Sequence, residues 1–201
     1  MNSELERAKK YSNSLNEIRL RLAVLESMCQ GSLTTGSEYF DYELAAVNLR
    51  KILENIAFGS LTANSRAYEG VYAGIEKIWR AKELLDKLER MYVDFYPKPL
   101  EPPVITDGIP RKLHFELLTS GFLTRVEFVE LYDLCSSVIH SQNPFKPSAT
   151  INFRLSVMEW VHRIRSLLRF HFFRLSGLPQ LWLGELEGPD GFSHVQIASP
   201  T

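Results

Sequence analysis

The chain has little cysteine, a net charge near zero and no long apolar run, and each scarcity removes a class of protein. Two cysteines, Cys29 and Cys135, stand among 201 residues. They are too few for a disulfide framework or a tetrahedral thiolate metal site. Both fall on the apolar side of an expected helix, where a free thiol behaves as a small hydrophobe. A formal net charge of -1 supplies no global attraction to nucleic acid or an anionic membrane, so any basic surface must be local. No run approaches the roughly 20 apolar residues of a membrane span. The opening MNSELERAKKYSNSL is charged and has no apolar signal region. The expectation is a cytoplasmic protein without a membrane partner. No glycine-rich phosphate loop, His-Glu-x-x-His or nucleophile elbow is present. His114, His162 and His194 are dispersed along the chain, so neither a metal nor a cofactor is expected.

What the chain does have is helical periodicity. Leu15, Ile18, Leu22, Leu25 and Cys29 recur at three- and four-residue steps and predict a first helix over 3–29. Ser37 is a candidate N-cap for a second helix, whose apolar residues, Phe40, Leu44, Val47, Leu49, Ile52, Leu53, Ile56 and Phe58, spread over more than one side. That distribution belongs to the centre of a bundle. A third helix is expected from Asn64 to Tyr96, supported by acid-first pairs at i,i+4 (Glu76–Arg80, Glu83–Lys87, Asp86–Arg90). Prolines make residues 97–123 an irregular connection. Thr124 with Glu127 forms a capping-box signal for a fourth helix, which runs towards His140 and stops before Asn143-Pro144. A fifth helix is expected from Ser148 to Ser176. Around Gly188-Pro189-Asp190-Gly191 two short apolar runs read as a β-hairpin. The expected architecture is all-α: a bundle of about five helices over 1–176, with a small C-terminal hairpin over 177–201.

Chemistry is expected at three places. The fifth helix holds Arg154, Arg163, Arg165, Arg169 and Arg174 against one acid, Glu159. On a helical wheel Arg154, His162, Arg165 and Arg169 share about a quarter of the circumference. They are candidate nucleic-acid-binding residues, because arginine forks hold phosphate in a bidentate manner; a solvated face with apolar stems is the alternative. His171, six residues after Arg165, reads as a buried, hydrogen-bonded core histidine or as the second member of an arginine–histidine pair. His140 lies outside the apolar arc of the fourth helix. It is either a cap that favours the helix dipole or an acid/base group oriented by Asn143. Arg50 on the second helix needs a partner or a cleft; Glu54 at i+4 is the simplest structural one.

Two passages, YELAAVNLRKILENIAFGSL and FVELYDLCSSVIHSQNPF, resemble core helices of the HEPN superfamily. The resemblance covers residues 1–176 in helix order and implies a helical bundle, often dimeric. Active members are metal-independent endoribonucleases of toxin–antitoxin and prokaryotic defence systems, whose motif is an arginine, four to six intervening residues and then a histidine. His140 matches the histidine by helix position, yet Asp133, Leu134 and Cys135 occupy the positions where the arginine belongs. The expectation is therefore a non-catalytic or degenerate HEPN-like module in prokaryotic defence or stress response. It would bind RNA, a nucleotide or a protein partner, including a second copy of itself. The rival is an endoribonuclease in which Arg50 or Arg165 supplies the missing cation. A structural subunit whose aromatic tail, Trp182 and Phe192, docks on a partner is the third reading.

Overall fold

The computed structural model describes residues 2–68, 80–106, 112–140, 153–175 and 180–198. Five helices appear among them: α1 (Asn2–Cys29), α2 (Glu38–Tyr68), α3 (Ala81–Met91), α4 (Arg125–Ile139) and α5 (Val157–Leu168). They are joined by six short strands: β1 (Lys98–Pro99), β2 (Val104–Thr106), β3 (Lys112–His114), β4 (Phe170–Arg174), β5 (Leu181–Glu185) and β6 (His194–Ala198). The protein is mainly helical, but the strands form more than a terminal hairpin. β5 and β6 do pair, and they are two members of an antiparallel sheet of order β1-β4-β5-β6. β2 and β3 form a separate two-stranded ribbon.

α2 is the central helix, packed against α1, α3 and α4. Its small residues Ala45, Ala46 and Ala57 and its large ones Leu49, Ile52, Leu53 and Ile56 are all buried. Phe40 and Val47, counted in its apolar pattern, are exposed instead. The predicted face of α1 is buried through Leu15, Ile18, Leu22 and Leu25. Cys29 ends up exposed, contrary to expectation, while Cys135 is buried. Burial pushes the Cys135 thiol up to about 12.

The third helix is much shorter than its periodicity implies. Asn64 belongs to α2, and Glu76 lies outside the described residues. Tyr92 is extended and closes α3. Glu83–Lys87 forms at 3.2 Å, but Asp86 turns away from Arg90 to take Arg125 of α4 at 2.6 Å. An inter-helix partner has replaced the local one.

α4 opens on the predicted capping box. Thr124 Oγ1 accepts from Glu127 N at 3.2 Å, and Thr124 N donates to Glu127 Oε2 at 3.0 Å. Glu127 also binds Arg163 of α5 at 2.7 Å, so one carboxylate fastens two helices. Thr124→Ala is expected to lower the thermal midpoint by about 2–4 °C, from the loss of one cap. Glu127→Ala is expected to lower it further, because the Arg163 contact goes too; thermal melts of both variants measure the difference.

The fifth helix is also corrected at both ends. It begins at a second capping box, Ser156 with Glu159, and stops at Leu168. Arg154 therefore precedes the helix, with φ 61°. His171 lies on β4, not on the helix. In β4, His171 and Phe173 are buried while Phe170 and Phe172 are half-buried. That period-two pattern suits aromatic side chains on a pleated strand. The same segment also matches helical spacing against Leu167 and Leu168; pairing with β1 and β5 decides between the two.

Candidate functional site

The arginine-rich segment forms a cleft, though not the stripe drawn on a helical wheel. His162, Arg165 and Ser166 of α5 and Arg169, its C-cap, face Leu186 and Glu187 of the loop after β5 across a space of about 400 Å³. That size lies within the range of small-ligand sites. His162 and Arg169 are exposed there. Arg165 is held by Glu26 of α1 through Nε (2.6 Å) and Nη2 (2.9 Å). Those hydrogen bonds raise its already high pKa. Its Nη1 reaches Glu187 only at 3.4 Å. Arg154, the fourth member of the predicted group, binds Glu130 of α4 at 2.7 Å. It is absent from the cleft lining.

The second place is the seam between α2 and α4. Arg50 donates from Nε to Glu54 at 3.2 Å, from Nη1 to Ser136 Oγ at 3.0 Å and from Nη2 to Tyr132 OH at 3.1 Å. Its guanidinium carbon also stands 4.8 Å from the Tyr132 ring centroid. The Glu54 partner expected from spacing is present, and two further partners come from α4. His140 is exposed and caps the C-terminus of α4, its N–H donating to Ser136 O at 3.3 Å. Tyr132, Ser136 and His140 recur every four residues and so share one helix face, with about 5–6 Å between successive Cβ atoms. A neighbouring helix thus carries an arginine to a point one turn before His140. Asn143 lies outside the described residues.

The Arg165–His171 pair does not form one site. His171 is 1% exposed and bonded to Tyr11 of α1 through Nε2 at 2.6 Å. Its Nδ1 lies 3.0 Å from Leu168 O. Because a carbonyl can only accept, Nδ1 carries the proton, and in the neutral ring Nε2 accepts from the Tyr11 hydroxyl. Burial lowers the histidine to about 4 and raises Tyr11, so both stay neutral near pH 7. Tyr11 and Glu26, the anchors of His171 and Arg165, are about 22 Å apart along α1 at 1.5 Å per residue. The predicted core reading of His171 describes its surroundings; the helix on which it was placed does not.

Trp182 is fully buried and Phe192 is 59% exposed. Trp182 packs near Tyr11, with ring centroids 6.3 Å apart, so this half of the proposed docking tail belongs to the core. Among the described residues, no group of three or more His, Cys, Asp and Glu side chains is placed to hold a metal. No helix among them is long and apolar enough to cross a membrane. Sequence reasoning missed Ser166, Glu187, Tyr132 and Ser136. The spacing of four to His140 could have found Ser136 and Tyr132. Nothing local could have found Glu187, which reaches α5 through the sheet.

Comparisons with protein-family models, with curated proteins and with solved structures give no match for this chain.

Proposed function

We propose that the protein is a non-catalytic HEPN-like module that binds a phosphate-bearing ligand, RNA or a nucleotide, in the cleft of α5. The observation that carries this reading is the meeting of His162, Arg165, Ser166 and Arg169 in one cleft of about 400 Å³. Arg169 and His162 offer donors to phosphate oxygens, and the Ser166 hydroxyl adds a neutral one. Arg165, pinned by Glu26, presents its remaining edge without having to be ordered on binding. What supports the HEPN-like part is that the first passage lies on α2 and the described residues of the second, 128–140, on α4 and its C-cap, and that α2 and α4 pack together. Fluorescence anisotropy with labelled single-stranded RNA and with a labelled nucleotide tests the proposal. Arg169→Ala combined with His162→Ala is expected to weaken binding at least about tenfold, as loss of a charge-assisted phosphate contact does. Rising salt is expected to weaken RNA binding further. Unchanged affinity in the double variant, or no binding of either probe, would overturn it.

A metal-independent endoribonuclease is the second reading, and the α2–α4 seam favours it. Arg50 reaches Ser136 one helical turn before His140, which supplies the cation missing from the positions before the histidine. In this reading His140 transfers the proton and Arg50 stabilises the phosphate. RNA cleavage in the presence of a chelator, lost in His140→Ala and in Arg50→Ala, is the outcome it requires.

A further inference from the structure

The outer face of the sheet carries a second pocket whose chemistry is opposite to that of the α5 cleft. Strand alternation places Gly184 inward against His171 and its neighbours Leu183 and Glu185 outward. Glu185 is paired across the strands with Phe170 of β4 on one side and His194 of β6 on the other. The segment after β1 then rises over this face. It is tied back by Glu101 N to Glu116 O at 2.9 Å and by Leu118 N to Pro99 O at 3.1 Å. Pro103 and Phe115 stand beside Phe170 and Leu183 around a half-open pocket of about 100 Å³. Its lining is mainly apolar, and Glu185 is the acidic group in it.

The charge of Glu185 is uncompensated. Its carboxylate has no hydrogen bond or ion pair among the described residues. Two histidines also line the pocket: His171 is engaged by Tyr11 and Leu168 O, and His194 is turned to Asp190, with Nε2 2.8 Å from Oδ1. Arg169 lies 5.7 Å from the Phe170 ring but lines the α5 cleft instead. A carboxylate in the lining of a small, mainly apolar pocket selects a ligand with an apolar stem and a cationic head. Carboxylates and other anions are repelled from such a pocket, and uncharged apolar groups leave Glu185 desolvated without a partner. The small volume restricts the stem to a short chain.

We infer that the pocket formed by Phe115, Phe170, Leu183 and Glu185 binds a primary alkylammonium group on a short aliphatic stem. The stem lies against Phe115, Phe170 and Leu183, and the ammonium donates to Glu185. A free alkylamine and a lysine side chain share this chemistry. This site is independent of the phosphate reading, since none of its four named residues lines the α5 cleft.

Amide chemical-shift mapping on the full chain tests it, with hexylamine, hexanoate and N-acetyl-lysinamide titrated separately at millimolar concentrations. Hexylamine is expected to shift the amides of Phe170, Leu183 and Glu185 saturably, and hexanoate to leave them in place. Glu185→Gln keeps the side chain's shape and removes its charge; it is expected to weaken hexylamine at least about tenfold. Tighter binding of N-acetyl-lysinamide than of hexylamine assigns the ammonium to a protein side chain, and the reverse order assigns it to a free amine. Equal shifts with hexanoate, an unchanged Glu185→Gln variant, or no saturable shift with either amine overturns the inference. Phosphate-ligand binding by Glu185→Gln is expected to stay at the level of the unaltered chain, whatever the amine result.

Discussion

Gly184→Ala is expected to destabilise the protein by about 3 kcal/mol, towards the upper end for overpacking a core. A Cβ at this position would lie 2.3 Å from both Cε1 and Nε2 of His171, far inside contact distance. The imidazole has no easy retreat. Its Nδ1 side is anchored on Leu168 O and its Nε2 side on Tyr11 OH. Tyr11 is confined in turn, because its ring occupies the place where a Cβ on Gly59 of α2 would sit, 2.5 Å from Cε2. Two glycines, one on a helix and one on a strand, thus make room for one buried polar pair. The test is a double-mutant cycle followed by denaturant unfolding. In a His171→Ala background the same glycine substitution is expected to cost about 1 kcal/mol or less, because the obstructing ring is gone. Equal costs in the two backgrounds would show that the clash with His171 is not the cause.

Acid is expected to remove about 3 kcal/mol of stability through His171 alone. Burial holds this histidine to about 4 in the folded chain, against an ordinary value of about 6.5. Between those two values the unfolded chain takes up a proton that the folded chain refuses. Stability therefore rises with pH across this window. The contribution is complete above about pH 6.5 and is lost progressively as pH falls towards 4. At 1.36 kcal/mol per unit, the full difference is about 3 kcal/mol. The capping carboxylates Asp41 and Glu159 are held below their ordinary acidic values by hydrogen bonds to Thr35 and Ser156. They sharpen acid unfolding at lower pH, with the same sign. Urea unfolding at intervals from pH 7 to 4 checks the prediction, with His171→Gln as the control that cannot titrate. The unaltered chain is expected to lose stability more steeply than the variant between pH 6.5 and 4. Parallel curves would place the acid sensitivity elsewhere.

Both predictions concern a residue whose surroundings were legible in part. Apolar neighbours at helical spacing marked His171 as a core histidine, and it is one. Its strand was hidden because FHFFR satisfies two periods at once. A helix would have placed His171 over Leu167 and Leu168; a strand places it opposite Pro99 and Gly184. Only the presence of β1 and β5 on either side settles the matter, and β1 comes from a proline-rich stretch with no strand signal of its own. Arg50 shows the same division. Its bond to Glu54 could be read from a spacing of four, whereas Tyr132 and Ser136 are more than eighty residues away in sequence. The arginine stripe was overestimated, since a helical wheel contains neither Glu26, Glu130 nor Glu187.

Local chemistry therefore determined what a few neighbouring residues can settle among themselves: the α4 capping box, the buried faces of α1 and α4, and the turn that joins β5 to β6. Each depends on side chains within one or two turns of each other, so the sequence carries the whole interaction. Tertiary structure decided which arginines are neutralised, where His171 lies, and that an arginine from α2 stands one turn before His140. It also left Glu185 without a partner among the described residues. Those outcomes depend on distant segments reaching the same few ångströms, and charge pairing and strand pairing are both set by that proximity.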